Sequence, residues 1–156
     1  MHRDAEVTFR EAARADLPAV VRLLADDPLG ATREATGDVI PEAYFTAFDA
    51  IDKDPNNAII IAEIDGAIAG TLQLTYIPSL TYTGGERAQI EGVRVAAEQR
   101  GNGVGQLMIT WAIDQARTRG CRVVQLTTDR QRPQSIRFYQ KIGFRPTHQG
   151  MKYPLA

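Results

Sequence analysis

Three glycines in five residues, Gly101-Asn102-Gly103-Val104-Gly105, stand between a strand-like run ending at Val93-Arg94-Val95 and a long amphipathic stretch beginning at Val104. A strand that turns this tightly into a helix leaves the N–H groups of the turn and of the first helical residues without internal acceptors. The positive end of the helix dipole adds to them. With Arg100 at the mouth, residues 93–105 read as a cradle for a phosphate or pyrophosphate.

Three readings compete for this turn. A nucleotide P-loop needs G-x-x-x-x-G-K-[ST], and no Lys-Ser or Lys-Thr pair follows these glycines. A dinucleotide fingerprint needs G-x-G-x-x-G in an early strand–helix–strand unit. Here the glycines fall in the second half of the chain, after an antiparallel hairpin. A glycine-rich turn that holds no ligand stays open on spacing alone.

The surrounding elements follow from periodicity. Val7-Thr8-Phe9-Arg10 alternates and predicts a first strand. Asp16 reads as an N-cap, with Pro18 in the first turn and Leu17, Val20, Val21 and Leu24 at helical spacing, so a helix is expected over residues 17–26. Residues 31–38 are expected to form a loop or a loose turn. Pro41 opens a second helix expected to bury Tyr44, Phe45, Phe48 and Ile51, and Asp54-Pro55-Asn56-Asn57 ends it. Residues 58–64 are rich in β-branched side chains and predict a buried strand. Asp65-Gly66 is a two-residue hairpin signal, so residues 67–76 form the antiparallel partner. Gly70 within it marks a bulge or a close approach.

Further strands are expected over residues 86–95 and 122–128, and within Phe144 to Tyr153, where Pro146 and Gly150 interrupt. The helix after the glycine turn carries Val104, Leu107, Met108, Trp111, Ala112 and Ala116 on its apolar face, with Gly120 as its C-cap. Pro133 opens a last helix through Ile142, closed by Gly143. The order β-α-α-β-β-β-α-β-α-β describes an α/β fold with one mixed sheet and helices on both faces. A length of 156 residues suits a single domain over residues 1–156.

The run Val95-x-x-x-x-Arg100-x-x-Gly103-x-Gly105 resembles the acetyl-coenzyme A signature of the GNAT superfamily of N-acetyltransferases, commonly written [RQ]-x-x-G-x-[GA]. Ile136-Arg137-Phe138-Tyr139-Gln140-Lys141-Ile142-Gly143-Phe144 resembles the second signature of that family, an aromatic-Tyr pair followed by Gly-Phe. One amphipathic helix and one strand separate the two, as in the family, and the element order fits over nearly the whole chain. Two positions depart from the pattern. Arg132 stands where many members have the Asn that helps hold the pantetheine arm, and Ala97 replaces the usual Pro after the fourth strand.

The resemblance implies a single mixed, centrally splayed sheet and an enzyme moving an acetyl group from acetyl-coenzyme A to a primary amine by direct attack on the thioester. It implies that backbone groups of Gly101, Asn102, Gly103, Val104 and Gly105 bind the pyrophosphate, that Arg100 adds charge, and that Arg132 makes a different cofactor contact. Val93, Arg94 and Val95, on the splayed fourth strand, are expected to hold the pantetheine arm and polarise the thioester carbonyl. Tyr139 matches the general acid of the family, and Phe138 and Phe144 are expected in the core. Glu91 has two readings, the base that deprotonates the ammonium or a surface charge, and Glu86, Glu98 and Asp26-Asp27 are weaker base candidates. The acceptor, a small-molecule or peptide amine, is expected between the first two helices, their loop, residues 78–85 and the last strand, where Tyr44, Phe45, Tyr76 and Tyr82 shape a pocket or fill the core. A homodimer is the prior for assembly. A non-catalytic acyl-coenzyme A sensor on the same fold is the alternative function.

Composition bounds the rest. A net charge of -1 argues against a general nucleic-acid binder, although Arg130, Arg132, Arg137 and Lys141 are close in sequence. One cysteine, Cys121, cannot form an intrachain disulfide and reads as a small packed residue. His2 and His148 are isolated and no metal site is expected. Trp111 reads as core. The polar N-terminus carries no signal-peptide run, and no segment is apolar enough to span a membrane, so the cytoplasm is the expected location.

Overall fold

The structure is a computed structural model and describes residues 6–156; His2 and the N-terminal segment before Glu6 lie outside the described residues. The chain divides into two compact units, one reaching Gln125 and one running from Leu126 to Ala156.

In the first unit the order is β1 (Val7–Glu11), α1 (Leu17–Ala25), α2 (Glu42–Lys53), β2 (Asn57–Ile64), β3 (Ala67–Ile77), a single turn α3 (Thr81–Gly84), β4 (Arg87–Val95), α4 (Val104–Arg119) and β5 (Val123–Gln125). The five strands form one mixed sheet in the order β1-β2-β3-β4-β5, antiparallel except for the parallel β4–β5 pair. The hairpin between β2 and β3 turns on Asp65 and Gly66 at φ 50° and 77°, the left-handed pair that a two-residue turn of this hand demands. Tyr82 and Thr83, at φ 55° and 60°, make α3 a left-handed turn rather than a helix. Among the described residues no helix is long and apolar enough to cross a membrane.

Alternation along β2 sorts the two faces of the sheet. Ile61 packs into a core with Leu17, Val20 and Val21 of α1 and Phe48 of α2, and Ile59 packs against that cluster. Of the aromatic residues expected inside α2, only Phe48 is fully buried; Tyr44 and Phe45 are half-buried. The opposite face carries α4. Its buried stripe is Val104, Met108, Ile109, Ala112 and Ala116. Ile109 thus takes the place expected for Leu107, which is 49% exposed. Trp111 is half-buried and stacks on Phe9 of β1 with ring centroids 5.1 Å apart. A Cβ at Gly70 would lie 2.6 Å from Met108 Sδ and 2.9 Å from the Arg94 carbonyl oxygen, so glycine is what lets α4 sit this close. A register shift between Ala62 and Glu63 shows that Gly70 also adjoins a bulge.

Asp16 precedes α1 but makes no side-chain cap hydrogen bond to it. Its carboxylate instead accepts the Ala13 N–H at 2.7 Å and both terminal nitrogens of Arg10 at 2.7 and 2.9 Å. Arg10 also donates to Glu63 Oε1 at 2.7 Å, so one guanidinium ties β1 to β2 and to the entry of α1. The hydrogen bonds from Arg10 hold the Asp16 carboxyl below its usual value, against the opposing effect of burial. A depressed folded value means the stabilisation is present above the unfolded value and is lost as pH falls through the folded one. Asp16→Asn is therefore expected to cost about 1–2 kcal/mol in urea melts at pH 7, and the difference from wild type should shrink as the buffer is taken below the ordinary aspartate range.

β5 is shorter than expected, three residues rather than seven. In the second unit the one regular element among the described residues is α5 (Pro133–Ile142), closed by Gly143 at φ 122°. The strand expected within Phe144 to Tyr153 is absent; these residues carry no ladder pairing. Pro146 supplies no N–H, and Gly150 favours no extended geometry, so this segment lacks the hydrogen bonds that would hold a strand.

Candidate functional site

The glycine turn forms because two of its residues need the left-handed region. Gly101 and Gly103 both lie at φ 80°. A Cβ at either position would meet nothing within 4 Å, so backbone conformation and not crowding selects glycine. Gly103 is the N-cap of α4 and offers no side chain to cap it, and the first turn holds no acidic residue. The leading N–H groups of a sixteen-residue helix thus stand beside exposed Gly101, Asn102 and Gly103, with buried Val104 anchoring the helix beneath them. Neither a carboxylate of the first turn nor a cap side chain competes for an anion there.

Arg100 is exposed, and its guanidinium is already engaged. Nη2 donates to the Asp26 carbonyl oxygen at 2.9 Å and to Asp26 Oδ2 at 3.1 Å, and Nε donates to the Val95 carbonyl at 3.2 Å. Arg94 makes the parallel connection: Nη1 donates to the Val93 carbonyl at 2.9 Å, and Nη2 lies 3.7 Å from Asp27 Oδ2. Asp27 Oδ2 also accepts the Gly30 N–H at 2.8 Å. Gly30 packs so tightly on the end of α1 that a Cβ would fall 2.0 Å from the Leu24 carbonyl oxygen. The Asp26-Asp27 pair therefore fastens the end of α1 to residues 94–100, Asp27 out of solvent against Arg94 and Asp26 at the exposed surface with Arg100.

β4 is irregular where it approaches the turn. Gln73 faces Glu91 and Thr71 faces Arg94, so Gly92 and Val93 together oppose Leu72 alone. This is a β-bulge, with Gly92 at φ 58° supplying the left-handed residue. On its other side β4 pairs with β5 only at Arg87, Ala88 and Gln89. Residues 90–95, including Val93, Arg94 and Val95, have no β5 partner among the described residues, so this edge of β4 lacks a neighbouring strand, although the Val93 and Val95 carbonyls already accept from Arg94 and Arg100.

Glu91 is exposed and accepts a hydrogen bond from Gln89 Nε2 at 2.8 Å. Strict alternation would place Glu91 and Val93 on one face; the bulge puts Glu91 and Arg94 on one face instead, opposite Gln73 and Thr71. Of the weaker acid candidates, Glu86 is taken up by Arg119, whose Nε donates to it at 2.6 Å and holds its carboxyl below the usual value. Glu98 is exposed. The Cys121 thiol is pushed up by burial and by its 3.6 Å contact with Glu86.

In the second unit Arg132 is the N-cap of α5, and its N–H donates to the Asp129 carbonyl at 2.9 Å. Tyr139 lies mid-helix, its ring edge-on to Phe138 at 5.0 Å and to Phe144 at 5.7 Å. His148 Nδ1 is 2.7 Å from Thr147 Oγ1. Two clefts, of about 120 and 310 Å³, lie around Asn57 and Ala58, one towards Phe48 and Ile51, the other towards Trp111 and Tyr76; neither is lined by any of residues 93–105.

Of two parts of this site that sequence reasoning missed, one has a trace in the sequence. Gly92 is a lone glycine inside a strand, a signal for a bulge, and it is the residue that redirects β4. The acidic pair Asp26-Asp27 carries no sequence mark of its partners, because Arg94 and Arg100 lie about seventy residues away.

The sequence profile of the acetyltransferase (GNAT) family matches residues 18–144. A crystal structure of a transcriptional regulator from Bacillus halodurans C-125 superposes with a TM-score of 0.93 at 47% identity, covering 96% of this chain and all of that one. Aminoalkylphosphonate N-acetyltransferase of Salmonella typhimurium is 26% identical over 107 residues, 69% of each chain. Glucosamine 6-phosphate N-acetyltransferase of Trypanosoma brucei brucei is 33% identical over 90 residues, 58% of this chain and 59% of that protein.

Proposed function

The chain belongs to the acetyltransferase (GNAT) family, and from that premise we propose that it transfers an acetyl group from acetyl-coenzyme A to a primary amine, its 156 residues working as one catalytic domain. The observation that carries the reading is the uncapped N-terminus of α4 behind two left-handed glycines, next to the open edge of β4. That arrangement fits a long, extended ligand with a pyrophosphate in its middle. Donor N–H groups meet the charge, and a strand edge meets the amide-bearing arm.

Acetyl-coenzyme A supplies the acetyl group as a thioester. Backbone groups of residues 101–105 would hold the pyrophosphate, and Arg132, at the N-cap of α5, would add a cofactor contact. Backbone groups of Val93, Arg94 and Val95 would hold the arm and polarise the carbonyl. Glu91 would take a proton from the ammonium, directly or through water, so that the amine can form the new C–N bond. As the C–S bond breaks, Tyr139 would donate its phenolic proton to the leaving thiolate, and the proton that the nitrogen sheds as the amide forms would restore the phenol through solvent. The names of the two curated relatives support a small amine as acceptor.

A second reading, an acyl-coenzyme A sensor without turnover, draws support from the Bacillus halodurans structure, named as a transcriptional regulator. Calorimetric titration with acetyl-coenzyme A, followed by a thiol-release assay over an amine panel, tests both. Binding together with amine-dependent thiol release is the expected result. Binding without release from any amine favours the sensor, and no binding rejects both.

A further inference from the structure

One face of the sheet changes character where the cover of α1 and α2 ends. On β2, Ile59 and Ile61 pack against those helices, and the next residue on that face is Asn57. The registers carry the row onward: Asn57 faces Thr75, Thr75 faces Gln89, and Gln89 faces Gln125. A second row beside it pairs Gln73 with Glu91. Six polar side chains from four strands thus lie together, five of them neutral, all half-buried except exposed Glu91.

They form two hydrogen-bonded groups of three. Gln125 Nε2 donates to Gln89 Oε1 at 3.0 Å, and Gln89 Nε2 donates to Glu91 Oε1 at 2.8 Å. A carboxylate only accepts, so Glu91 fixes which end of Gln89 faces it and therefore which end of Gln125 faces Gln89. On the other side, Gln73 Nε2 and Thr75 Oγ1 both approach Asn57 Oδ1, at 3.0 and 3.1 Å. Such linked networks hold their side chains in place before a ligand arrives. Each amide uses only part of its capacity within the network, and adjacent strands space the members by about 4.8 Å.

We propose that this row of amides and hydroxyl is the acceptor platform of the site, and that it selects a primary amine on a polyhydroxylated skeleton. The proposal rests on the acetyl-transfer reading above. Glu91 closes the row on β4, the strand whose open edge is assigned to the thioester arm, so an ammonium on the free side of its carboxylate stands next to that edge. Hydroxyls both donate and accept, so they satisfy fixed amide groups of either polarity. Hydroxyls on alternate carbons of a six-membered ring are separated by a distance close to the strand spacing of ~4.8 Å. A plain alkyl amine would cover the same groups and leave them without partners, which binding penalises.

The test compares two matched pairs of amines, D-glucosamine with cyclohexylamine and 2-amino-1,3-propanediol with isopropylamine, by thiol release from acetyl-coenzyme A. The readout is the ratio of kcat/KM for the hydroxylated over the plain member, in wild type and in Thr75→Val, Gln73→Leu and Gln125→Leu. Differences in amine basicity cancel when this ratio is compared between enzymes. The expected result is a fall of about 3- to 10-fold in each variant, the worth of one neutral hydrogen bond, with acetyl-coenzyme A binding by calorimetry showing that the variants are folded. A ratio constant within about twofold across the folded variants overturns the platform, as does a wild type that acetylates only the plain amines. Acetyl-coenzyme A binding with no thiol release from any of the amines overturns the acetyl-transfer reading, and the platform with it.

Discussion

Tyr139→Phe is expected to bind acetyl-coenzyme A with wild-type affinity and to turn over roughly 100-fold more slowly, at the low end of what a positioned general acid contributes. The substitution removes one oxygen. Both ring contacts, to Phe138 and to Phe144, are edge contacts that phenylalanine keeps. The Tyr139 carbonyl, which accepts the N–H groups of Gly143 and Phe144 at the end of α5, is untouched. Acetyl-coenzyme A affinity measured on the variant separates loss of fold from loss of the proton donor. A thiol of pKa about 8.5 leaves tolerably as the thiolate near neutral pH, so some turnover should persist. Steady-state thiol release gives kcat, and calorimetry gives the affinity. Equal kcat in the variant would remove Tyr139 from the proton path.

Gly103→Val should do the opposite, weakening acetyl-coenzyme A by at least about 30-fold. A β-branched residue at φ 80° is strained by about 1–2 kcal/mol or more before any ligand is considered. To relieve it the turn must move, and the N–H groups at the start of α4 move with it. The open space around a Gly103 Cβ lies beside those same groups, so the new side chain would also stand near the anion. Arg100→Ala should cost only a few-fold, because that guanidinium is already committed to Asp26 and to the Val95 carbonyl. Calorimetry on the two variants decides the matter. A larger loss from Arg100→Ala would shift the cofactor's hold from backbone to side chain.

The parts of this fold that were legible in the sequence are those whose cause is local. Asp65-Gly66 demands left-handed geometry wherever it occurs, so the hairpin could be placed from two residues. The glycine turn, Pro133 and the caps Gly120 and Gly143 are local in the same way. Features set by distant residues were not legible. The stripe of α4 was misplaced at Leu107 because the approach of Met108 to Gly70, not helical spacing, sets how the helix is rotated. The strand expected after Phe144 has no ladder partner to hold it. The contact of Asp27 with Arg94 carries no local mark, because the two are remote in sequence. The polar row on the sheet was invisible for a related reason. Asn57, Thr75, Gln89 and Gln125 are each unremarkable in a strand, and only the register lines them up.

The bulge at Gly92 acts as a phase slip in β4. Counted in twos from Arg87, the strand sends odd positions to the face of Asn57 and even ones to the face of α4, until Gly92 and Val93 are spent on a single partner. After that the parity is inverted, and Arg94 arrives beside Asp27 instead of beneath α4. Deleting one residue there would restore the regular count and swap the destinations of everything downstream: Arg94 would be aimed at the Met108 side, and Val95 at the aspartate. The spacing between Glu91 and the glycine turn is therefore an odd-or-even property as well as a length. A chain with one residue fewer would keep its motif and lose its orientation.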